Sequence, residues 1–150
     1  MPLNIVLIEP EIPTNTGNIG RLSLASGAHL HLVKPLGFAI NDKRVKRAGL
    51  DYWQHLELHI YDSVQDFFET HKGKKMAFLS SHGTNDYLSI TYHEDMFLVF
   101  GKESVGLPKT ITDKYSDSLF KIPIHTPHVR SLNLANAVSI VVYEGLRQLR

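Results

Sequence analysis

The stretch that is most informative about the fold is Ile122-Pro-Ile-His-Thr-Pro-His-Val-Arg-Ser-Leu-Asn-Leu-Ala-Asn-Ala-Val-Ser-Ile-Val-Val-Tyr-Glu144. A short apolar run ends at Pro123, a polar loop follows, and a mostly apolar segment begins near Ser131. That segment predicts a helix from about Ser131 to the end, buried on nearly every face. Asn133 and Asn136 lie in its first turns, and buried amides cost free energy unless they are hydrogen-bonded. We therefore expect them to contact another loop, a second subunit or a ligand.

Toward the amino terminus, short apolar runs alternate with segments of helical pattern. The runs predict six strands, at Asn4–Glu9, His29–Val33, Leu56–Tyr61, Lys75–Ser80, Met96–Phe100 and Leu119–Ile124. Between them the pattern predicts helices at Asn15–Ser26, Asp42–Ala48 and Ser63–Thr70, and a short helix opened by Pro108. This alternation predicts an α/β fold with a mainly parallel sheet and helices on both faces. Ligands of such sheets bind beyond the carboxyl ends of the strands.

Composition limits the classes of protein to which the chain can belong. Its 150 residues are enough for one domain with one core, and the formal net charge of +1 does not by itself indicate a nucleic-acid binder. The absence of cysteine excludes disulfides, thiolate metal sites and a cysteine nucleophile. No apolar run is long enough for a signal peptide or a membrane span. We expect a soluble, cytoplasmic single domain over residues 1–150.

The first segment that could carry chemistry is Glu9-Pro-Glu-Ile-Pro-Thr-Asn-Thr-Gly-Asn-Ile-Gly-Arg21. A predicted strand leads through a proline-stiffened loop into a helix, whose first N–H groups attract anions. Arg21 shares a helix face with Asn18 and could hold a phosphate or contact a reacting hydroxyl. A capped helix with a surface arginine remains the alternative.

The second segment is Leu98-Val-Phe-Gly-Lys-Glu-Ser-Val-Gly-Leu-Pro108, where Gly101 and Gly106 bracket a loop. Glycines there allow positive φ or the close approach of a ligand to the backbone. The spacing matches neither a Walker loop nor a dinucleotide fingerprint, so a plain strand-to-helix turn stays possible. Glu103 could cap backbone amides or contact a ligand hydroxyl.

A basic cluster follows Asp42. It comprises Lys43, Arg44, Lys46 and Arg47, and it stands out in a chain of near-neutral charge. A phosphate-binding patch is one interpretation and a solvated helix face is the other. Tyr52 and Trp53 come next and could stack on a base or belong to the core.

Nine histidines raise the question of a metal, but no His-Glu-x-x-His or comparable local set occurs. We therefore expect no metal. Ser131 has no acid–base partner evident in the sequence, so a hydrolase triad is not indicated.

Three of these segments, in order, resemble the SPOUT (α/β-knot) class of RNA methyltransferases. They are Pro10–Arg21, Phe100–Pro108 and Ile122–Glu144. Within that class, Leu36-Gly-Phe, Asp42-Lys-Arg and Ala48-Gly-Leu-Asp-Tyr52 resemble the small tRNA 2′-O-methyltransferases that act on the wobble nucleotide, position 34. The resemblance implies a C-terminal trefoil knot, an obligate homodimer and S-adenosylmethionine as cofactor.

The resemblance also assigns roles to individual residues. It implies catalytic roles for Arg21, Asn133 and Arg130. Cofactor contacts are implied for Leu79, Gly101, Glu103, Gly106, Leu107, Ile122, Ser131 and Leu132. RNA contacts are expected from Lys43, Arg44, Lys46, Arg47 and Tyr143.

The expected function is S-adenosylmethionine-dependent 2′-O-methylation of tRNA at cytidine or modified uridine 34. The alternatives are an RNA-binding protein that keeps the fold without activity, a 2′-O-methyltransferase of another RNA site, and an unrelated α/β nucleotide-binding protein. The partners expected are tRNA and a second copy of the chain, with no membrane.

Overall fold

A seven-stranded sheet forms the centre of the computed structural model, which describes residues 2–150 apart from the side chains of residues 49–51. Its strands are β1 (Asn4–Ile8), β2 (His29–Val33), β3 (Leu58–Tyr61), β4 (Met76–Leu79), β5 (Asn85–Asp86), β6 (Phe97–Phe100) and β7 (Leu119–Lys121). They lie in the order β3-β2-β1-β6-β4-β7-β5, and every pairing is parallel. The predicted parallel α/β fold is confirmed.

Five α-helices surround the sheet: α1 (Pro13–Ser26), α2 (Lys43–Gly49), α3 (Val64–Thr70), α4 (Lys109–Lys114) and α5 (Leu134–Gln148). A 3-10 helix at Leu50–His55 continues from α2. Side chains of the central strands point alternately into two cores, one around Ile5 and Leu98 and the other around Val6 and Val99. Two buried layers require helices on both faces, as the near-continuous apolar runs predict.

Helix α1 begins two residues earlier than predicted. Its N-cap is Ile12, which offers no side-chain hydrogen bond, and Pro13 occupies the first turn. Neither Asn15 nor Thr16 is the cap. The predicted stop is confirmed, because Gly27 takes a left-handed conformation with φ 74° and its N–H bonds back to the helix.

Helix α5 begins later than predicted and is not buried all round. Asn133 is its N-cap, so residues from Ser131 to Asn133 belong to the preceding loop. Val138, Val141, Val142 and Gly145 face the core, whereas Ile140 and Tyr143 are exposed. In one copy of the chain the helix is therefore amphipathic, and its exposed apolar residues, Ile140 and Tyr143, are accessible from outside.

The cap of α3 and the strand β5 can also be compared with the sequence-based prediction. Ser63 caps α3 by accepting a hydrogen bond from the Asp66 N–H at 3.1 Å, as predicted. Strand β5 was missed because its two residues, Asn85 and Asp86, are polar and are placed only by pairing with β7. The trefoil knot implied by the resemblance stays a prediction.

A buried polar chain links β1, β2, β3 and α3. His31 is 3% exposed and bonds Asn4 Oδ1 and the Tyr61 hydroxyl, both at 2.8 Å. The Tyr61 hydroxyl also meets His71 Nε2 at 2.7 Å. Since Asn4 Oδ1 only accepts, His31 Nε2 donates to it and His31 Nδ1 accepts from Tyr61. Burial lowers the pKa of His31 to about 3, so the ring is neutral.

Candidate functional site

Three loops meet at one edge of the sheet because β6, β4 and β7 are adjacent and parallel. The carboxyl ends of these strands lie at Phe100, Leu79 and Lys121. Of the eight residues expected to contact a cofactor, Leu79 is the last residue of β4 and the other seven lie in the loops that follow β6 and β7. The topology therefore brings together three segments that are far apart in the sequence, at the position where open α/β sheets bind ligands.

The loop after β6 folds back tightly on itself. The Gly106 N–H donates to the Lys102 carbonyl at 2.9 Å, and a Cβ on Gly101 would lie 2.1 Å from Gly106 C and Leu107 N. Gly106 itself has φ 74°. Any side chain at Gly101 would open this turn, so both glycines are required by the backbone.

Glu103, in the same loop, clamps the start of α1. Its carboxylate accepts hydrogen bonds from the N–H groups of Glu11 and Ile12, both at 2.8 Å, and from Asn15 Nδ2 at 3.2 Å. In return the Glu11 carboxylate accepts from the Ser104 N–H at 2.9 Å, and the Ser104 hydrogen bonds hold the pKa of Glu11 below its usual range. Of the two roles left open for Glu103, the structure favours capping.

The third loop joins this assembly through Asn133. Asn133 Nδ2 donates to Asn15 Oδ1 at 3.1 Å, while Asn133 Oδ1 accepts from the Asn136 N–H at 3.2 Å. Asn15 is 7% exposed and uses both ends of its amide. The partners expected for Asn133 are therefore found, whereas Asn136 has an exposed side chain and needs none.

Residues 122–132 form a segment without helix or strand, with a turn at residues 127–128 and a bend at residues 130–131. Within residues 2–150, no backbone–backbone hydrogen bond ties this segment to another part of the chain. Its free N–H and C=O groups, with the apolar side chains of Leu79 and Leu107 beside the neighbouring strands, fit a ligand recognised through backbone groups. Such a donor set suits an adenine base and a sulfonium-bearing amino acid without a charged pocket. Ile122, Ser131 and Leu132 all lie on this segment.

Arg21 lies on the exposed face of α1, and its guanidinium is 5.2 Å from the centre of the Tyr52 ring. No hydrogen bond or ion pair holds it within the described chain, so the ring is its one recorded contact. Trp53 packs against α1 where a Cβ on Gly20 would lie 2.6 Å from the indole. Of the two aromatic residues considered for base stacking, Tyr52 contacts Arg21 and Trp53 packs against α1.

Helix α2 holds the basic cluster against α1. A Cβ on Gly17 would lie 2.4 Å from the Val45 carbonyl oxygen, so α2 approaches α1 at this glycine. Arg44 is bound by Asp42, with Nη2 to Oδ2 at 3.0 Å, and its positive charge is partly satisfied. The three remaining cations, Lys43, Lys46 and Arg47, are exposed and have no ion pair in the described part of the chain.

Arg130 and Tyr143 are exposed, and the structure records no contact between either of them and Arg21. One copy of the chain therefore brings Asn133 and the cofactor loops together, whereas Arg130 has no recorded contact with Arg21. Sequence reasoning missed Asn15 and Glu11 as site residues, and it considered Tyr52 for base stacking but not for contact with Arg21. Asn15 and Glu11 lie inside a quoted motif, but their partners lie about 90 or more residues away and leave no local signal.

A second feature lies away from this edge. A cleft of about 880 Å³ lies between the end of α3, the start of β4 and the end of α4, at the amino ends of the strands. From residue 2 onward, none of the helices has the length and apolar character needed to cross a bilayer.

The chain is similar to known proteins. The family model described as the SpoU rRNA methylase family matches residues 2–143. A tRNA (cytidine(34)-2′-O)-methyltransferase of Escherichia coli strain K12 is 45% identical over 148 residues, covering 98% of this chain and 94% of that protein.

Solved structures agree with the sequence relatives. One, described as giving insights into the 2-OH methylation of C/U34 on tRNA, matches with a TM-score of 0.94 at 43% identity, over 98% of this chain and 95% of that chain. The SpoU methyltransferase AviRb of Streptomyces viridochromogenes, in complex with AdoMet, matches with a TM-score of 0.85 at 26% identity. That match covers 99% of this chain and 58% of AviRb.

Proposed function

Since the chain belongs to the SpoU methylase family, we propose that it is an S-adenosylmethionine-dependent methyltransferase that modifies the ribose 2′-hydroxyl of tRNA nucleotide 34. The observation that carries this proposal is that Glu103, Asn15 and Asn133 join the three segments that carry the family resemblance, which begin at Pro10, Phe100 and Ile122. It is supported by the near full-length similarity to tRNA (cytidine(34)-2′-O)-methyltransferases.

The cofactor cradle is the backbone of the three loops. Leu79, Gly101, Gly106 and Leu107 would form one wall, and Ile122, Ser131 and Leu132 the other. Bound S-adenosylmethionine supplies a sulfonium methyl group. Because Glu103 already accepts three hydrogen bonds from α1, we assign it to holding the loops in place rather than to contacting the cofactor.

Arg21 is the residue assigned to the reacting ribose. In the cradle the cofactor would supply its methyl group to the ribose 2′-oxygen, and the 2′-hydroxyl would give up its proton to water. An arginine stays protonated in proteins, so Arg21 orients the hydroxyl or a neighbouring phosphate by charge and hydrogen bonding. Holding both reactants in line contributes most of the rate in such a site.

We propose that the active enzyme is a homodimer. Exposed apolar side chains follow the outer stripe of α5 and the loop before it: Val129 is 45% exposed, Ile140 36% and Tyr143 48%. Helix α1 packs beside α5, so a partner that covers this stripe would also approach Arg21. A second copy could then bring its Arg130 and Tyr143 toward the Arg21 and basic α2 cluster of the first.

Lys43, Lys46 and Arg47, with Arg44 partly neutralised, are the cations proposed to bind tRNA phosphates. Each phosphate contact adds salt dependence to the affinity. The absence of cysteine and of a membrane-crossing helix among residues 2–150 is compatible with the cytoplasm, where we place the enzyme.

The test is methyl transfer to defined tRNA. Purified protein is incubated with isotopically labelled S-adenosylmethionine and tRNA isolated from cells that lack the enzyme, and the modified nucleotide is located by mass spectrometry of nuclease fragments. We expect one 2′-O-methyl group at nucleotide 34 and none on a matched tRNA with a 2′-deoxy residue there. Cofactor binding without transfer would favour the inactive RNA-binding alternative, and methylation elsewhere would favour another RNA site.

A further inference from the structure

Three potential metal ligands converge at the amino ends of β2 and β3. The ring nitrogens of His29 and His59 and a carboxylate oxygen of Glu57 all lie within 4.8 Å of one another. His29 begins β2, and Glu57 directly precedes β3. This end of the sheet is opposite the edge that carries the cofactor loops, so the cluster is separate from the methyl-transfer site.

The parallel register explains why these side chains meet. Leu30 pairs with Leu58 and His31 with His59, so His29 lies beside Glu57 one step earlier. Residues two apart on a strand point to the same face. The four side chains at 29, 31, 57 and 59 therefore form a compact square on one face, and three of them are accessible from solvent.

His31, the buried residue of these four, holds the ring of His59 in place. The His59 ring stacks on His31, with centroids 4.8 Å apart and planes inclined by 17°. His31 is itself held by Asn4 and Tyr61. His59 Nε2 is also 3.4 Å from Glu57 Oε2, so two of the ligands already approach each other.

We propose that His29, Glu57 and His59 bind one divalent cation of the zinc class. Two imidazoles and one carboxylate are a ligand set that zinc accepts with a water molecule at the fourth position. Calcium and magnesium prefer sites made of oxygen ligands, which this cluster does not provide.

The geometry requires only a small closure. Zinc–ligand bonds of about 2.0–2.2 Å in a tetrahedron place ligand atoms about 3.4 Å apart. The His59–Glu57 pair is at that separation, and His29 is half-buried but Glu57 and His59 are exposed. All three ligand atoms lie within 4.8 Å of one another, so His29 is the ligand that has to come closer on binding.

The bound cation would join the edge strand β3 to β2. Edge strands present unpaired backbone groups, and β3 has only β2 as a neighbour. A ligand that binds the folded state alone raises its stability by mass action. The site is therefore assigned a stabilising role. The sequence-based expectation of no metal rested on local motifs, whereas this cluster is formed across strands.

Binding is tested on full-length protein that has been treated with a chelator. Zinc chloride is titrated by calorimetry, and cobalt chloride is titrated while visible absorption is recorded. We expect one ion per chain, the intense visible bands of tetrahedral cobalt, and a higher melting temperature with zinc. Methyl transfer should be unchanged by chelator at a temperature well below melting.

Two cluster variants, His29→Ala and His59→Ala, are compared with His55→Ala and His93→Ala, which remove exposed histidines outside the cluster. The cluster variants should bind zinc at least about tenfold more weakly, as loss of a ligand removes a metal–nitrogen bond. The control variants should bind as the parent does.

The proposal is overturned if the parent protein binds no stoichiometric zinc, or if the cluster variants bind it as tightly as the parent. It is also overturned if the controls weaken binding equally, which would indicate diffuse binding to surface histidines. A wild-type protein that gives only octahedral cobalt spectra would contradict the assigned geometry.

Discussion

Asn133 Nδ2 donates a hydrogen bond to Asn15 Oδ1 at 3.1 Å, although the two residues are 118 positions apart in the chain. Asn15 is also bound to Glu103, since Asn15 Nδ2 donates a hydrogen bond to the Glu103 carboxylate at 3.2 Å. One buried amide thus ties the loop before α5 to the start of α1 and to the loop after β6. A disturbance in any one of the three segments is therefore expected to reach the other two.

Asn15 and Asn133 should be energetically coupled. Asn15→Ala removes one of the three hydrogen bonds to the Glu103 carboxylate and the acceptor of Asn133 Nδ2, and we expect a loss of about 1–3 kcal/mol in the free energy of unfolding. Adding Asn133→Ala should cost less than it does alone, with a coupling of at least about 0.5 kcal/mol in a denaturant-based double-mutant cycle. Asn136→Ala is the control, because its backbone N–H still bonds Asn133. Strict additivity would contradict the link.

Glu103 should be needed for loop geometry rather than for charge alone. Glu103→Gln keeps the shape but turns one acceptor into a donor that faces N–H groups, so unfolding stability should fall by about 1.5–3 kcal/mol. Affinity for S-adenosylmethionine, measured by calorimetry, should fall as well. Glu69→Gln is a matched change at an exposed glutamate, and it should leave both quantities nearly unchanged. A stable Glu103→Gln protein with weak cofactor binding would assign Glu103 to the cofactor instead.

Tyr52 should act on Arg21 through its ring. Tyr52→Leu removes the face on which the guanidinium rests, and Tyr52→Phe retains it. An exposed cation–π contact is worth about 0.5–1 kcal/mol, which corresponds to about a two- to fivefold loss in methyl-transfer rate for Tyr52→Leu. Cofactor affinity should not change in either variant. If Tyr52→Phe is as slow as Tyr52→Leu, the hydroxyl and not the ring is what matters.

His31 should remain neutral well below the ordinary range of histidine. Burial lowers its pKa to about 3 in the folded chain, whereas an unfolded histidine titrates near about 6.5. The folded state then binds fewer protons between these values, so this contribution to stability is complete above about pH 6.5 and declines as pH falls toward 3. NMR titration of chelator-treated protein should show the Nε2–H tautomer down to about pH 4. Protonation of His31 near pH 6.5 would contradict the buried network.

The sheet was predictable because its strands carry their own signal. β1 is a run of Ile, Val and Leu after Asn4, β2 alternates His with Leu before ending at Val33, and both were placed within one residue. The start of α1 was not predictable, since its N–H groups are capped by Glu103 from 91 and 92 residues away. Local capping rules look only at neighbouring residues, and they chose Asn15 or Thr16.

The same limit explains the errors in α5 and in the site. Apolar content suggested burial on every face, but the outer stripe with Ile140 and Tyr143 is exposed in one copy of the chain. Sequence cannot separate a helix face that packs on the core from one that stays exposed when both are apolar. The motif positions of the cofactor loops were identified through family resemblance, whereas the contacts that join these loops are visible only in the structure.

A role for Arg21 at the ribose of nucleotide 34, within a preformed cofactor site, is what the proposed function depends on most. It is tested most directly by single-turnover methyl transfer to tRNA, measured at nucleotide 34 for the parent, Arg21→Ala and Arg21→Lys, alongside calorimetric binding of S-adenosylmethionine. Loss of one charge-assisted contact in the transition state predicts a rate lower by about 10²–10³-fold for Arg21→Ala. The lysine variant should fall in between, and cofactor affinity should be unchanged. Transfer by Arg21→Ala at the parent rate would contradict the claim.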